Sequence, residues 1–242
     1  FLLNKAQHQS VKIYILHAMD LSLVKTAYAV FQKDLTLELK SKYGLNTILA
    51  FVSSALLVVL FSLRAERLSN ESQAGLIWII ILFAAMSSLS RAFVLEADKQ
   101  TDALLRLHTK SSAVYMGKLL YNFAFILLVN LFSFAAYVFL LGLTIHNFSA
   151  LLVAVILGSA GLTGISTLLS AIVAQTDRKG AVFSVLSIPL LVPLILLVSN
   201  ITEAAITARN LLSLNDLAAL VGYSGVTITA GLVLFDFIWE DE

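Results

Sequence analysis

Six runs of this chain are almost wholly apolar: Leu45–Leu63, Gly75–Leu95, Leu119–Leu143, Ser149–Ala174, Ala181–Ser199 and Leu217–Trp239. A helix needs about 20 such residues to cross about 30 Å of hydrocarbon, and each run is long enough or close to it. They are apolar on every side, without the two-residue alternation of a barrel strand, and a lone segment in lipid must satisfy its backbone internally. The pattern predicts an all-α, polytopic membrane protein with six transmembrane helices. The connections are short and polar, with no room for a soluble second domain.

Two charged segments break the apolar pattern. The first, Phe31–Tyr43, places Phe31, Leu35, Leu39 and Tyr43 four residues apart, with Lys33, Asp34, Glu38, Lys40 and Lys42 between them. Leu35, Leu37 and Leu39 also alternate as in a strand, but a lone strand here would have no partner. The expectation is an interfacial helix with its lysines toward anionic headgroups. The second, Arg91–Lys118, lies between spans two and three and carries Arg91, Glu96, Asp98, Lys99, Asp102, Arg106, Lys110 and Lys118. Asp102 and Arg106 form a favourable i, i+4 pair, and Leu104, Leu105 and Leu107 supply an apolar contact. Glu96, Asp98 and Asp102 facing out beside the leucines would suit a groove on a soluble protein. A solvated loop helix with no partner is the plainer alternative.

Composition places the chain in the membrane class. Of the 242 residues 59% are hydrophobic and 13% charged, against roughly 25% charged in a soluble domain. The net charge of +1 suggests no nucleic-acid partner. The distribution of the 16 lysines and arginines sets an expected orientation. Arg64, Arg67 and Arg209 fall on one side; the other thirteen fall in the N-terminal segment and the second and fourth loops. By the positive-inside rule that richer side is cytoplasmic, as are both termini. Trp78 and Trp239 are expected as interfacial anchors. Residues 1–24 are expected to be a tail outside the fold, with 25–242 the membrane domain. The first span is expected to act as an uncleaved insertion signal.

Little in the sequence points to catalysis. There are no cysteines, so thiolate metal sites and cysteine nucleophiles are excluded. A P-loop would need G-x-x-x-x-G-K-[ST]; at Gly117-Lys118 the next residue is Leu119, and Ser112 stands where the first glycine should be. The chain is expected to be no enzyme by itself and to bind no cofactor or metal. His146, in the loop after span three, is an exposed loop histidine or a contact for an exported ligand. Asp236 lies a turn from the last span's end and is expected to reach the interface rather than relay protons. Asn122 and Asn130 are expected to hydrogen-bond neighbouring helices. Gly158, Gly161 and Gly164 give span four a small-residue packing stripe. Pro189 and Pro193 share a face of span five, where each removes a backbone donor and bends the helix. The bend is static packing, or else a hinge or substrate face.

Several short pieces follow one another in order along the chain: Lys33-Asp34-Leu35 with Glu38, Leu39, Lys42 and Tyr43; Gly75-Leu76-Ile77-Trp78; Arg91-Ala92-Phe93 with Glu96; Asp102-Ala103-Leu104-Leu105; Tyr115 and Gly117-Lys118-Leu119-Leu120 leading to Asn122; and Ser187-Ile188-Pro189-Leu190 with Pro193-Leu194. As an ordered set they resemble the CcmB family, the membrane subunit of the ABC-type heme exporter of cytochrome c maturation. The resemblance runs from about Val24 to the C-terminus. It implies a six-helix permease of the bacterial inner membrane whose work comes from a separate ATPase (CcmA-like). It further implies heme-handling membrane subunits (CcmC-like and CcmD-like), a periplasmic heme chaperone (CcmE-like), and heme as substrate of the complex. Glu96, Asp98, Asp102, Leu104, Leu105 and Arg106 would then form the cytoplasmic coupling helix against the ATPase. An ABC-2-type permease for a lipid, polysaccharide or drug, and a non-transporting scaffold, remain alternatives.

Overall fold

The computed structural model of the chain describes residues 2–62, 68–89, 93, 96, 109–175, 179–207 and 213–240. The described residues form helices, with no strand among them. In chain order these are α1 (Leu2–Ser41), α2 (Tyr43–Ser62), α3 (Asn70–Leu89), α4 (Ser111–Leu141), α5 (Phe148–Ala174), α6 (Lys179–Ile206) and α7 (Leu214–Glu240). Among the described residues five helices, α2 and α4 to α7, are long and apolar enough to cross a membrane. In α3 the apolar stretch among the described residues is shorter, Asn70–Met86.

The helix ends differ from the sequence expectation where local chemistry overrides hydropathy. The expected interfacial helix Phe31–Tyr43 is the last part of α1, which begins far upstream at Leu2. It stops at Lys42, whose φ of 53° lies in the left-handed region, and Tyr43 opens the next helix. Glu38 organises this corner. Its carbonyl accepts the Lys42 N–H at 2.6 Å, and its carboxylate accepts the Leu45 N–H at 2.7 Å. A carboxylate over the first turn of α2 satisfies a donor that the helix cannot and suits the positive end of its dipole. At the other end of the bundle, Gly142 caps α4 with φ 68°, a conformation glycine adopts without penalty. Asn147 then caps α5, accepting the Ala150 N–H at 3.1 Å. The N–H groups of His146 and Asn147 both reach the Ala205 carbonyl, which ties this corner to α6.

Helix α5 is the axis of the bundle and packs against α3, α4, α6 and α7. It buries Gly158, Gly161 and Gly164 with Ser159, Thr163, Ser166, Thr167 and Ser170. A Cβ at Gly158 would come within 2.5 Å of the Trp78 ring, one at Gly161 within 2.5 Å of Leu194, and one at Gly164 within 2.8 Å of the Thr227 hydroxyl. Small residues thus let α3, α6 and α7 close on α5 from three directions. Polar pairs join the same helices. The Asn122 amide donates to Thr167 at 2.8 Å, and the Asn130 amide donates to Ser159 at 2.7 Å. In a membrane such bonds each add on the order of 1 kcal/mol.

Trp78 corrects the anchor expectation. It is 1% exposed, edge-on to Phe134, and its indole N–H donates to Thr202 at 2.8 Å. It is a core residue joining α3 to α6, because the glycine at 158 leaves a slot that its ring fills. Large apolar side chains that do face outward, such as Phe61, Phe139, Val185 and Phe237, lie on the outer surfaces of the bundle, as expected where lipid replaces water.

Candidate functional site: a buried charge cluster

Lys118 lies two turns into α4, between Gly117 and Leu119, in a run that otherwise looks ready for hydrocarbon. The sequence reading assigned it to a cytoplasmic loop; the structure buries it within a helix, 1% exposed. An isolated ammonium there would be costly, so it must be paired. Its Nζ lies 2.9 Å from Glu96 Oε2 and 3.4 Å from Asp34 Oδ2, and 4.8 Å from the centre of the Phe93 ring. Both carboxylates are 13% exposed. Lys33 completes the group, bonded to Glu96 and 3.3 Å from Asp34 Oδ1. Two ammonium groups and two carboxylates therefore interlock without net charge.

The four members come from three parts of the chain. Lys33 and Asp34 belong to α1, Glu96 to the segment after α3, and Lys118 to α4. The backbone allows the approach because residue 117 is glycine: a Cβ there would sit 2.5 Å from the Ala27 carbonyl oxygen and 2.6 Å from Val30 Cβ. Phe93 is fixed from the other side, its N–H donating to Ser170 of α5 at 3.1 Å, and the Glu96 N–H donates to the Phe93 carbonyl at 3.1 Å. Beneath the charges Phe93 and Tyr115 each pack against Phe235, with ring centres 5.1 Å apart, and Phe235 against Trp239 at 5.2 Å. Ser111 donates to Asp236 at 2.6 Å, so Asp236 serves as an inter-helix acceptor joining α4 to α7. One end of the bundle is thereby fastened through α1, the Phe93–Glu96 segment, α4, α5 and α7.

Lys33 shows the electrostatic balance. Burial pulls its ammonium pKa down, but the hydrogen bond to Glu96 and the attraction of Asp34 and Glu96 outweigh that and hold it above the ordinary 10.5. A raised lysine stabilises the fold fully below its unfolded pKa and loses that contribution as pH rises through the folded value. The Lys33 ammonium therefore keeps its charge throughout the neutral range.

The expected site residues are distributed unevenly over this frame. Asp98, Asp102, Leu104, Leu105 and Arg106 lie outside the described residues. Glu96 was expected to face outward; its carboxylate instead turns into the fold toward Lys33 and Lys118. Pro189 and Pro193 lie inside α6, exposed, while Leu191, Leu194 and Val198 are buried. The Tyr223 hydroxyl of α7 donates to the Leu190 carbonyl between them. His146 is exposed at the opposite end from the charge cluster. Among the described residues no cluster of histidine and acidic side chains could hold a metal ion. The sequence reading missed Lys118 as a site residue. The available signal was a single lysine in an apolar helix beside a glycine, with Asp34 and Glu96 elsewhere as complementary charges.

A bundle of apolar helices, stitched by polar pairs and carrying its ionic cluster at one end, defines a multi-pass membrane protein. The chain belongs to the CcmB protein family, whose family model matches residues 25–236. Membership places it in heme transport and cytochrome c biogenesis. No curated protein matches the chain.

The cluster makes a direct stability prediction. Lys118→Met leaves two partly buried carboxylates facing a single ammonium, and breaking a buried pair in this way costs about 3 kcal/mol. Thermal unfolding of the detergent-purified protein should show a clearly lowered midpoint for Lys118→Met and a much smaller drop for Lys118→Arg. Equal midpoints for wild type and Lys118→Met would refute the structural role of the pair.

Proposed function

We propose that this chain is the membrane permease subunit of an ABC-type heme exporter complex, coupling ATP hydrolysis by a separate subunit to heme delivery at the periplasmic face. The observation that carries this reading is the family match across residues 25–236. In the proposed arrangement α2 to α7 are six spans in the bacterial inner membrane, with both termini and the charge cluster on the cytoplasmic side. The helix ends support alternation. Asn70 meets Ile206 and Thr207 at one end, whereas Lys118, Glu96, Ser111 and Asp236 meet at the other. Heme is the substrate of the complex rather than a cofactor of this chain. The partners are a CcmA-like ATPase, CcmC-like and CcmD-like membrane subunits and a CcmE-like chaperone.

The topology has a clean test because the native chain lacks cysteine. Ser72→Cys should label with an impermeant maleimide from the periplasm and Ser112→Cys only after the inner membrane is opened. The reverse pattern would invert the topology.

The segment Glu96–Leu107 is proposed to dock on the ATPase through the residues after Glu96, whose own carboxylate turns inward onto Lys33 and Lys118, since a permease without a nucleotide site must receive work through a contact. The leucines would supply most of the binding and Asp98 and Asp102 the steering and register, with Arg106 paired to Asp102. Leu104→Asp should strip the ATPase from purified complexes. Asp102→Asn should weaken it modestly and reduce its salt dependence. Full co-purification with both Leu104→Asp and Leu105→Asp would end this assignment.

Pro189 and Pro193 leave the carbonyls of Val185 and Pro189 without their helical donors. We assign them a bend in α6 that matters for substrate passage on the exposed face. Replacing both with alanine should preserve insertion and reduce cytochrome maturation; unchanged maturation would reduce the prolines to packing.

A further inference from the structure

Work delivered to the segment after α3 must reach the membrane helices through a defined connection. Lys118 is the described residue of α4 whose side chain grips that segment, at 2.9 Å from Glu96. The same ammonium holds α1 through Asp34 at 3.4 Å. It lies inside a helix 31 residues long, about 46 Å at about 1.5 Å per residue. Helix α4 further grips α5 through Asn122 with Thr167 and Asn130 with Ser159. A displacement of Glu96 that keeps its ion pair must therefore move α4, and α4 cannot move without shifting its seam on α5. Apolar contact alone would let the segment slide, because dispersion is nondirectional. A buried ion pair resists separation, since parting it strands a charge in a medium that solvates it poorly.

We propose that Lys118 is a positioning residue for transport: its ion pairs with Glu96 and Asp34 convert movement of the segment after α3 into movement of α4 and, through the Asn122 and Asn130 bonds, of α5. This rests on the permease reading above and names the link within the chain on which coupling depends. Glu96 is the input, Lys118 the hub, and Lys33 with Asp34 the tether that makes α1 move as part of the same body.

A purely structural role and a transmitting role differ at the double variant Lys118→Met with Glu96→Gln. It removes one charge of each sign, keeps side-chain volume and leaves the Lys33–Asp34 pair at 3.3 Å intact. Replacing a buried pair by neutral groups is often tolerated, so the protein should accumulate in the membrane and retain its ATPase partner. Transmission, however, should fail: cytochrome c matured per ATP hydrolysed should fall about tenfold, while Lys118→Arg with native Glu96 keeps most of it. A double variant that matures cytochrome c within about twofold of wild type would overturn the proposal. So would a loss fully explained by release of the ATPase or by absence of the protein from the membrane. Leu104→Asp, run alongside, separates the two ideas. If it has no effect, the docking reading fails; if it abolishes maturation while the double variant does not, docking stands and the transmission proposal falls.

Discussion

A single ammonium in an apolar helix constrains one whole end of this protein. Lys118 is 1% exposed, and in such surroundings a charge persists only where opposite charge is brought to it. That requirement draws Asp34 from α1 and Glu96 from the segment after α3, and Lys33 balances the surplus. Close approach of α1 in turn demands the glycine at 117. The aromatic packing of Phe93, Tyr115, Phe235 and Trp239 closes the space beneath. The rest of the bundle follows from a different constraint, the need to pack helices without a hydrophobic driving force between them. Helix α5 meets it with glycines, serines and threonines on the faces where α3, α4, α6 and α7 close on it.

The two constraints meet at α4. Its N-terminal part carries Lys118 and faces α1, and further along the same helix Asn122 and Asn130 bond to α5. Helix α4 is therefore connected both to the charged segment and to the central axis. For a family that works in heme transport, this gives the chain a physical path from one end of the bundle to its interior.

Much of this was legible in the sequence, and the failures have physical causes. Apolar runs located the helices because length and hydropathy suffice when the solvent is lipid. The asparagines in span three read correctly as inter-helix donors, since an amide in hydrocarbon must find a partner. Trp78 misled because an indole suits an interface and a core slot equally. The slot depends on Gly158 and Thr202, far away in sequence. The continuous α1 was invisible because its break at Lys42 depends on a left-handed residue and on Glu38 capping the next helix. Lys118 was read as a loop charge because hydropathy penalises lysine locally, whereas its burial is licensed by Asp34 and Glu96, 84 residues away in the first case. The proposed contact residues Asp98, Asp102, Leu104, Leu105 and Arg106 rest on sequence pattern and family resemblance.

Lys118 and Glu96 act as one unit. A double-mutant cycle on unfolding free energy, using Lys118→Met, Glu96→Gln and the pair together in purified protein, measures that directly. The double variant should be much less damaged than the sum of the singles, with a coupling energy above about 1 kcal/mol. Additive effects of the two substitutions would contradict it.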